Sequence, residues 1–363
     1  MKYYIQEIAR NYLRNLADEP KTMNVHPRFM HTLDAGEFHD GFLALMRLMR
    51  SLYTDVMNNP ADFGMPLVDA VEENPTNTVY LKSHEGFKRV PHILLILGAA
   101  GRLNADMTLS VSGKDLIAAA KNVKLVKMPE VLGKLTEYGF EIDGFTKTIK
   151  DGDELTIGYP DCRALITALK SMSDAQSVIG KGDLRRNNAY FYMMMPDILV
   201  SETVKEPKLR VGSMHNALNG NNRKIAEMFD ECVGGKAKAA VKTMGFMRND
   251  WNSTYTGVKS KRVLMTLKAE QDDLNIKLNL EHIGEYMDAV NALPDNLRDR
   301  IINNSWNCNQ ANCNPKCAGG FAFVIDGTTH KKCRCGAFGF RNVSAGDAAH
   351  LKTLLEIEMR REE

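Results

Sequence analysis

Cys308-Asn-Gln-Ala-Asn-Cys313-Asn-Pro-Lys-Cys317, then Gly319-Gly320, Phe321-Ala-Phe-Val-Ile325, Asp326-Gly327 and Cys333-Arg-Cys335, is the stretch whose residue choice demands chemistry rather than packing. It holds five of the chain's seven cysteines. Its first part is rich in turn formers (Asn309, Asn312, Asn314, Pro315), which disfavour regular helix. The run from Phe321 to Ile325 alternates and is rich in strand formers, and Asp-Gly is a strong two-residue hairpin signal. A hairpin turning at Asp326-Gly327 is therefore expected, with a return strand through His330 to Cys335. Cys333 and Cys335 then share one face, and the register brings Cys317 within a few positions of both.

In a reducing compartment, clustered cysteines read as a metal site before they read as disulfides. Zinc takes four thiolate or imidazole ligands in a tetrahedron. The expected ligands are Cys308, Cys313, Cys317 and Cys333, with Cys335 and His330 as spares. Lys331, Lys332 and Arg334 are expected to offset the charge of the thiolates. Four protein ligands leave no open position, so the expected zinc is structural. An iron–sulfur cluster is the alternative occupant, and free or redox-active thiols are the metal-free reading. The spacing departs from the paired Cys-x-x-Cys knuckles of zinc ribbons. Cys162 reads as a packing or surface thiol, and Cys232 as a small core residue.

A chain of 363 residues exceeds what a single core usually serves. The segments expected are a helical N-terminal region (1–89), a middle domain (90–200) and an α+β domain (208–363) carrying the cysteines. Ser201 to Pro207 is the linker between the last two. Hydrophobic residues make up 44% and charged residues 25% of the chain, ordinary values for a globular protein. A net charge of +2 neither demands nor excludes nucleic acid. The N-terminal residues carry charges throughout, and the longest apolar run, Ile93 to Ala100, is too short to span a bilayer. A cytoplasmic protein without a membrane partner is expected.

Apolar periodicity predicts helices over 2–17 and 36–57. Between them lie His26, His31 and Asp34, followed by Glu37, His39 and Asp40; a polar loop entering a helix accounts for the cluster better than a metal site does. Residues 90–101, 112–121 and 129–138 read as three further helices, with Ser112 capping the second and Pro129 opening the third. Phe140–Phe145 and Glu154–Tyr159 then read as a hairpin across the polar link Lys147–Gly152.

Three short helices followed by a hairpin make residues 90–160 resemble a winged helix-turn-helix domain, in pattern and without a diagnostic motif. The resemblance implies that the helix from Pro129 to Tyr138 takes the recognition position and that residues 146–152 form the wing. Duplex DNA is then an expected partner, contacted through Lys124, Lys127, Lys134, Lys147 and Lys150. Between Lys121 and Lys150 there are six lysines against four acids, so the net charge is modest. The third helix exposes Glu130, Lys134 and Glu137 and lacks Arg and Asn, a poor set for reading base edges. A protein partner is the competing reading.

The remainder reads as helix 161–180, helix 221–233, strands around Trp251 and Tyr255, at 263–267 and at 274–280, helices after Ile283 and Pro294, and a final helix from Ser344. Tyr190–Met195 reads as core and Arg185-Arg186 as a basic surface or a solvated turn. No Gly-rich phosphate loop or nucleophile motif stands out. The best-supported expectation is a regulatory protein. A scaffold module comes next, and a metal-dependent or redox enzyme last.

Overall fold

The computed structural model describes residues 3–16, 19–67, 83, 85–181, 195–205, 211–216, 218–244, 250–270, 273–308, 319–334 and 336–361. The chain divides into two compact units, Met1–Lys208 and Leu209–Glu363. The division follows directly on the expected linker. The boundary expected near residue 90 falls inside the first unit.

The first unit begins with α1 (Tyr4–Asn15) and the long α2 (Ala35–Asn58). Asp34 caps α2 by accepting from the Glu37 N–H at 2.8 Å, while Glu37 accepts from the Asp34 N–H at 3.0 Å. Helix α3 (Arg89–Ala100) contains the apolar run, and every residue from Val90 to Gly98 is buried. A helix apolar on all sides must be surrounded, and α3 is. It packs on α6 (Ala164–Ile179), on α4 (Gly113–Asn122), on α5 (Met128–Glu137) and on strand β2 (Leu109–Ser112). Helix α2 packs on both α1 and α6. The rings of Tyr12, Tyr53 and Phe87 meet at centroid distances of 4.4 to 5.2 Å, and the Tyr53 hydroxyl donates to the Phe87 carbonyl.

The three helices and the hairpin expected in residues 90–160 form: α3, α4, α5, then β3 (Glu141–Asp143) and β4 (Glu154–Gly158). The pairing runs Glu141↔Gly158 to Asp143↔Thr156. Two strands come in addition, β1 (Arg102–Leu103) and β2, in a sheet of order β1-β2-β4-β3. The four residues of β2 are too few for a periodic signal. Gly113 opens α4 where the wing crosses it: its N–H donates to the Asp153 carbonyl at 2.7 Å, and a Cβ there would lie 2.0 Å from the Lys150 carbonyl oxygen. Only glycine fits that crossing.

The second unit is built on an antiparallel sheet of order β11-β8-β7-β6-β5. Its strands are β5 (Ala237–Met244), β6 (Asp250–Gly257), β7 (Val263–Glu270), β8 (Asp273–Leu278) and β11 (Phe338–Arg341). Trp251, Tyr255, Met265, Leu267, Ile276, Leu278, Phe338 and Phe340 are buried. Helix α7 (Gly220–Val233) packs on β8 and on the C-terminal helix α10 (Ala345–Arg361). The Tyr255 hydroxyl donates to Asp230 Oδ1 of α7 at 3.0 Å. The helix expected after Ile283 is divided into a turn at Ile283–Glu285 and α8 (Met287–Asn291), followed by α9 (Asp295–Asn303). The break falls at Tyr286, whose hydroxyl is drawn to Glu358 Oε2 at 2.5 Å. The expected hairpin forms as β9 (Gly320–Ile325) and β10 (Thr328–Cys333). Asp326 and Gly327 have φ of 48° and 74°, both positive as a type I′ turn demands. Residues 190–194 of the run Tyr190–Met195, and Arg185-Arg186, lie outside the described residues.

Glu358 is fully buried and joins three segments. Its carboxylate accepts from the Arg262 guanidinium, the Tyr286 hydroxyl and the His282 N–H. Burial, and then the nearby carboxylate, push the Tyr286 hydroxyl far above the usual phenol range. Removing one partner of a buried ion pair strands the other and costs about 3–5 kcal/mol. Glu358→Ala should therefore lower the unfolding free energy of the C-terminal unit by an amount within that range, read as a lower denaturant midpoint. Both tryptophans, Trp251 and Trp306, lie in this unit, so their fluorescence reads it alone. A midpoint unchanged from wild type would show that the network does not hold α10.

Candidate metal centre and nucleic-acid interface

The residues ahead of the cysteine segment add a short rung to the free edge of β10. Asn307 pairs with Lys332, the Cys308 N–H donates to the Lys331 carbonyl at 3.1 Å, and the Cys333 N–H donates to the Trp306 carbonyl at 2.9 Å. On the hairpin ladder Cys333 stands opposite Gly320. An ideal Cβ on Gly320 would lie 2.7 Å from Cys308 Sγ and 2.6 Å from the Lys332 carbonyl oxygen. Cys308 and Cys333 thus border one glycine, and the thiol of Cys308 uses the room that a side chain would take. Cys313, Cys317 and Cys335 lie outside the described residues, and among the described residues no group of three or more His, Cys, Asp or Glu is placed to hold a metal ion.

The neighbouring side chains differ in use. Lys332 is 2% exposed, and its ammonium donates to the Ile302 carbonyl, the Ser305 carbonyl and Asn307 Oδ1. Burial lowers its pKa. Its charge is thus applied to the chain before Cys308. Lys331 and Arg334 are exposed, and Arg334 approaches Glu281 at 3.9 Å. His330 stands opposite Phe323, ring centroids 5.7 Å apart, three residues and therefore one strand face away from Cys333. Away from the segment, burial and Glu356 push the Cys232 thiol up to about 11, so it stays protonated. Cys162 sits half-exposed at the end of a short turn.

The histidine cluster ahead of α2 resolves into local hydrogen bonding. His26 Nδ1 accepts from the Arg28 N–H, His39 Nε2 bonds the Pro20 carbonyl at 2.8 Å, and Asp34 with Glu37 forms the cap already described. His31 is exposed, and partial desolvation lowers its pKa against the attraction of Asp174.

The winged segment offers a groove of about 600 Å³ between α5 and the wing, lined by Pro129, Glu130, Gly133, Phe145, Thr146 and Lys147. Lys124 and Lys127 precede α5 with φ of 53° and 62°, and both are exposed. Lys147 and Lys150 are exposed on the wing, whose base Asp153 closes by accepting from the Lys150 N–H. Lys127 bonds Glu130 at 2.8 Å, and this contact holds the Glu130 carboxyl below the usual range. Lys134 is spent inside the fold. Its ammonium meets Glu137 at 2.8 Å, Asp55 at 3.4 Å and Asp62 at 3.5 Å, and it lies over the Phe63 ring. The bond it donates to Glu137, opposed by partial burial and supported by Asp55, raises its pKa.

The cradle makes a structural prediction. Gly320→Ala forces a methyl against a backbone oxygen and a sulfur, and such overpacking costs about 1–3 kcal/mol. Gly339→Ala on β11 meets only ordinary contacts at 3.9 and 4.0 Å. Tryptophan-detected denaturation should place Gly320→Ala well below wild type and Gly339→Ala close to it. Equal midpoints would mean that Cys308 is not held against Gly320.

No protein-family model, curated protein or solved structure matches this chain.

Proposed function

We propose that this chain is a cytoplasmic nucleic-acid-binding regulator whose N-terminal unit grips duplex DNA through the winged segment. A structural zinc secures its C-terminal unit. The observation that supports the DNA reading is the groove between α5 and the wing, lined by Lys147, with three further exposed lysines on the chain that borders it: Lys124 and Lys127 just before α5, and Lys150 on the wing. Phosphate neutralisation needs cations so placed. The α5 surface carries Glu130 and lacks Arg and Asn, so the grip follows the backbone and shape of the duplex more than its bases. Lys134, held by three carboxylates, takes no part.

A protein partner is the second reading. Exposed Glu130 and Glu137, and the neutralised Lys134, give α5 a mixed surface that suits a peptide as well as a groove of DNA. Salt separates the two. Four phosphate contacts give log K a slope of about −3.6 against log salt, at −0.9 per phosphate neutralised. Replacing Lys124, Lys127, Lys147 and Lys150 together with Glu should abolish duplex binding in fluorescence anisotropy while leaving the melting profile intact. Duplex affinity that survives the four substitutions would exclude this surface and leave the protein-partner reading.

Cys308 and Cys333, with Cys313 and Cys317 completing the set, would hold the zinc, which supplies a cross-link between the rung and the hairpin and no open catalytic position. Metal binding and folding are coupled at such sites. Zinc per chain, measured on protein purified without added metal, should be one in wild type and in Cys335→Ser, and should fall towards zero in Cys333→Ser. Iron in place of zinc would point to a cluster. Metal lost from Cys335→Ser and kept by Cys333→Ser would reverse the ligand assignment.

A further inference from the structure

The outward face of the C-terminal sheet carries a second surface with its own chemistry. Residues opposite one another on antiparallel strands share a face, so the register sets out its rows. Lys242, Asn252, Lys268, Asn275 and Arg341 form one row across all five strands; Ala240, Thr254, Thr266, Lys277 and Gly339 form the next. The strict alternation of Leu274-Asn-Ile-Lys-Leu-Asn-Leu280 marks this face as wet in the sequence; what the sequence could not show is the assembly of the rows. An open cavity of about 580 Å³ lies on it, lined among others by Thr254, Thr266, Asn275, Lys277, Trp306 and Arg341. No carboxylate lines it among the described residues.

Three details give this cavity a ligand class. Trp306 is 70% exposed at its margin, whereas Trp251 on the same sheet's inner face is 1% exposed. A large aromatic surface left in water at the edge of a polar cavity is a stacking platform. Asn275, in the row beside Gly339, lines the cavity as a polar side chain. Lys277 is exposed in the middle of the face, and Arg341 stands at a diagonal position on the next strand, its guanidinium oriented by Asp273 at 2.5 and 3.0 Å. An aromatic platform, an exposed lysine and an arginine fixed by one carboxylate outside the cavity lining match a nucleobase carried on a phosphodiester chain.

We infer that the outward face of the C-terminal sheet, with Trp306 at its margin, binds single-stranded nucleic acid. A base stacks on Trp306, and Lys277 and Arg341 take flanking phosphates. A duplex does not serve, because its bases are already stacked and their faces are closed to Trp306. A lone nucleotide leaves unused the cations that continue along the row to Lys268 and Lys242. The inference involves residues and a unit other than those of the duplex reading and stands without it.

Tryptophan fluorescence tests it directly, since Trp306 is the exposed one of the two. Titration of the full chain with ten-nucleotide oligo-dC and oligo-rC should quench the emission; anisotropy of labelled strands should give the affinity. Stacking is worth about 1–3 kcal/mol per base, so Trp306→Ala should weaken binding about ten-fold or more. Trp306→Phe should recover most of that loss. Lys277→Glu should weaken binding and flatten its salt dependence by about 0.7 for each phosphate left without its cation. The variant with Lys124, Lys127, Lys147 and Lys150 replaced by Glu should bind the single strand as wild type does, which keeps this result separate from the duplex test. Absence of quenching, or wild-type affinity in both Trp306→Ala and Lys277→Glu, would overturn the inference. So would quenching by cytidine monophosphate at the same concentration, or equal competition by a duplex of the same length.

Discussion

The burial of α3 on every side is the constraint on which the first unit depends. Nine consecutive residues from Val90 to Gly98 have no solvent-facing side. A helix of this kind has no stable place on a surface, so elements on more than one side must cover it. Helix α6 is one cover; α4, α5 and β2 are others. The winged segment is therefore not a module set on a linker. Its first helix is at once the core of the helical N-terminal region, which is why residues 1–208 form one compact unit. The same arrangement fixes α5: Lys134 and Tyr138 at its outer end are tied to Asp55 of α2, the Tyr138 hydroxyl at 3.0 Å, and only the face towards the wing is left open.

In the second unit two buried charges do for irregular chain what periodicity does for strands. Glu358 gathers Arg262, Tyr286 and the His282 N–H, and so joins the start of β7, the turn before α8 and the C-terminal helix. Lys332 gathers the carbonyls of residues 302 and 305 and the Asn307 side chain. A buried ion is tolerated only when its hydrogen-bonding capacity is met, so each specifies the position of several backbone segments at once. The consequence for function is positional. Trp306 and Cys308 flank Asn307, so one lysine sets both the aromatic at the edge of the open sheet face and the first thiol of the cysteine segment.

Reading by pattern succeeded where the physical cause was local. The capping box at Asp34 and Glu37, the Ser112 cap of α4, the 3.6-residue periodicity of α2 and α7, the two-residue alternation of β8 and the turn at Asp326-Gly327 all arise from residues within one or two turns of each other. The α+β character and the three-helix-plus-hairpin order of residues 90–160 follow from those signals alone. By itself, then, the sequence determined where most elements begin and end and that cysteine chemistry gathers near the C-terminus.

Only the tertiary structure decided the rest, because the deciding partners are distant in the chain. Ala237-Lys-Ala-Ala-Val-Lys-Thr-Met244 carries little strand propensity and becomes β5 by pairing with β6. Phe338–Arg341 becomes β11 by pairing with β8, more than sixty residues earlier. Lys134 is a surface lysine in the sequence, and only the fold brings Asp55 and Asp62, 79 and 72 residues upstream, to its ammonium. Gly320 is an ordinary glycine in the sequence, and its role becomes visible only when Cys308 lies against it. The open face of the sheet belongs to no single segment at all. Its cations, amides and tryptophan come from strands that meet only after folding, so side-chain chemistry was legible residue by residue, while its convergence was a property of the pairing register.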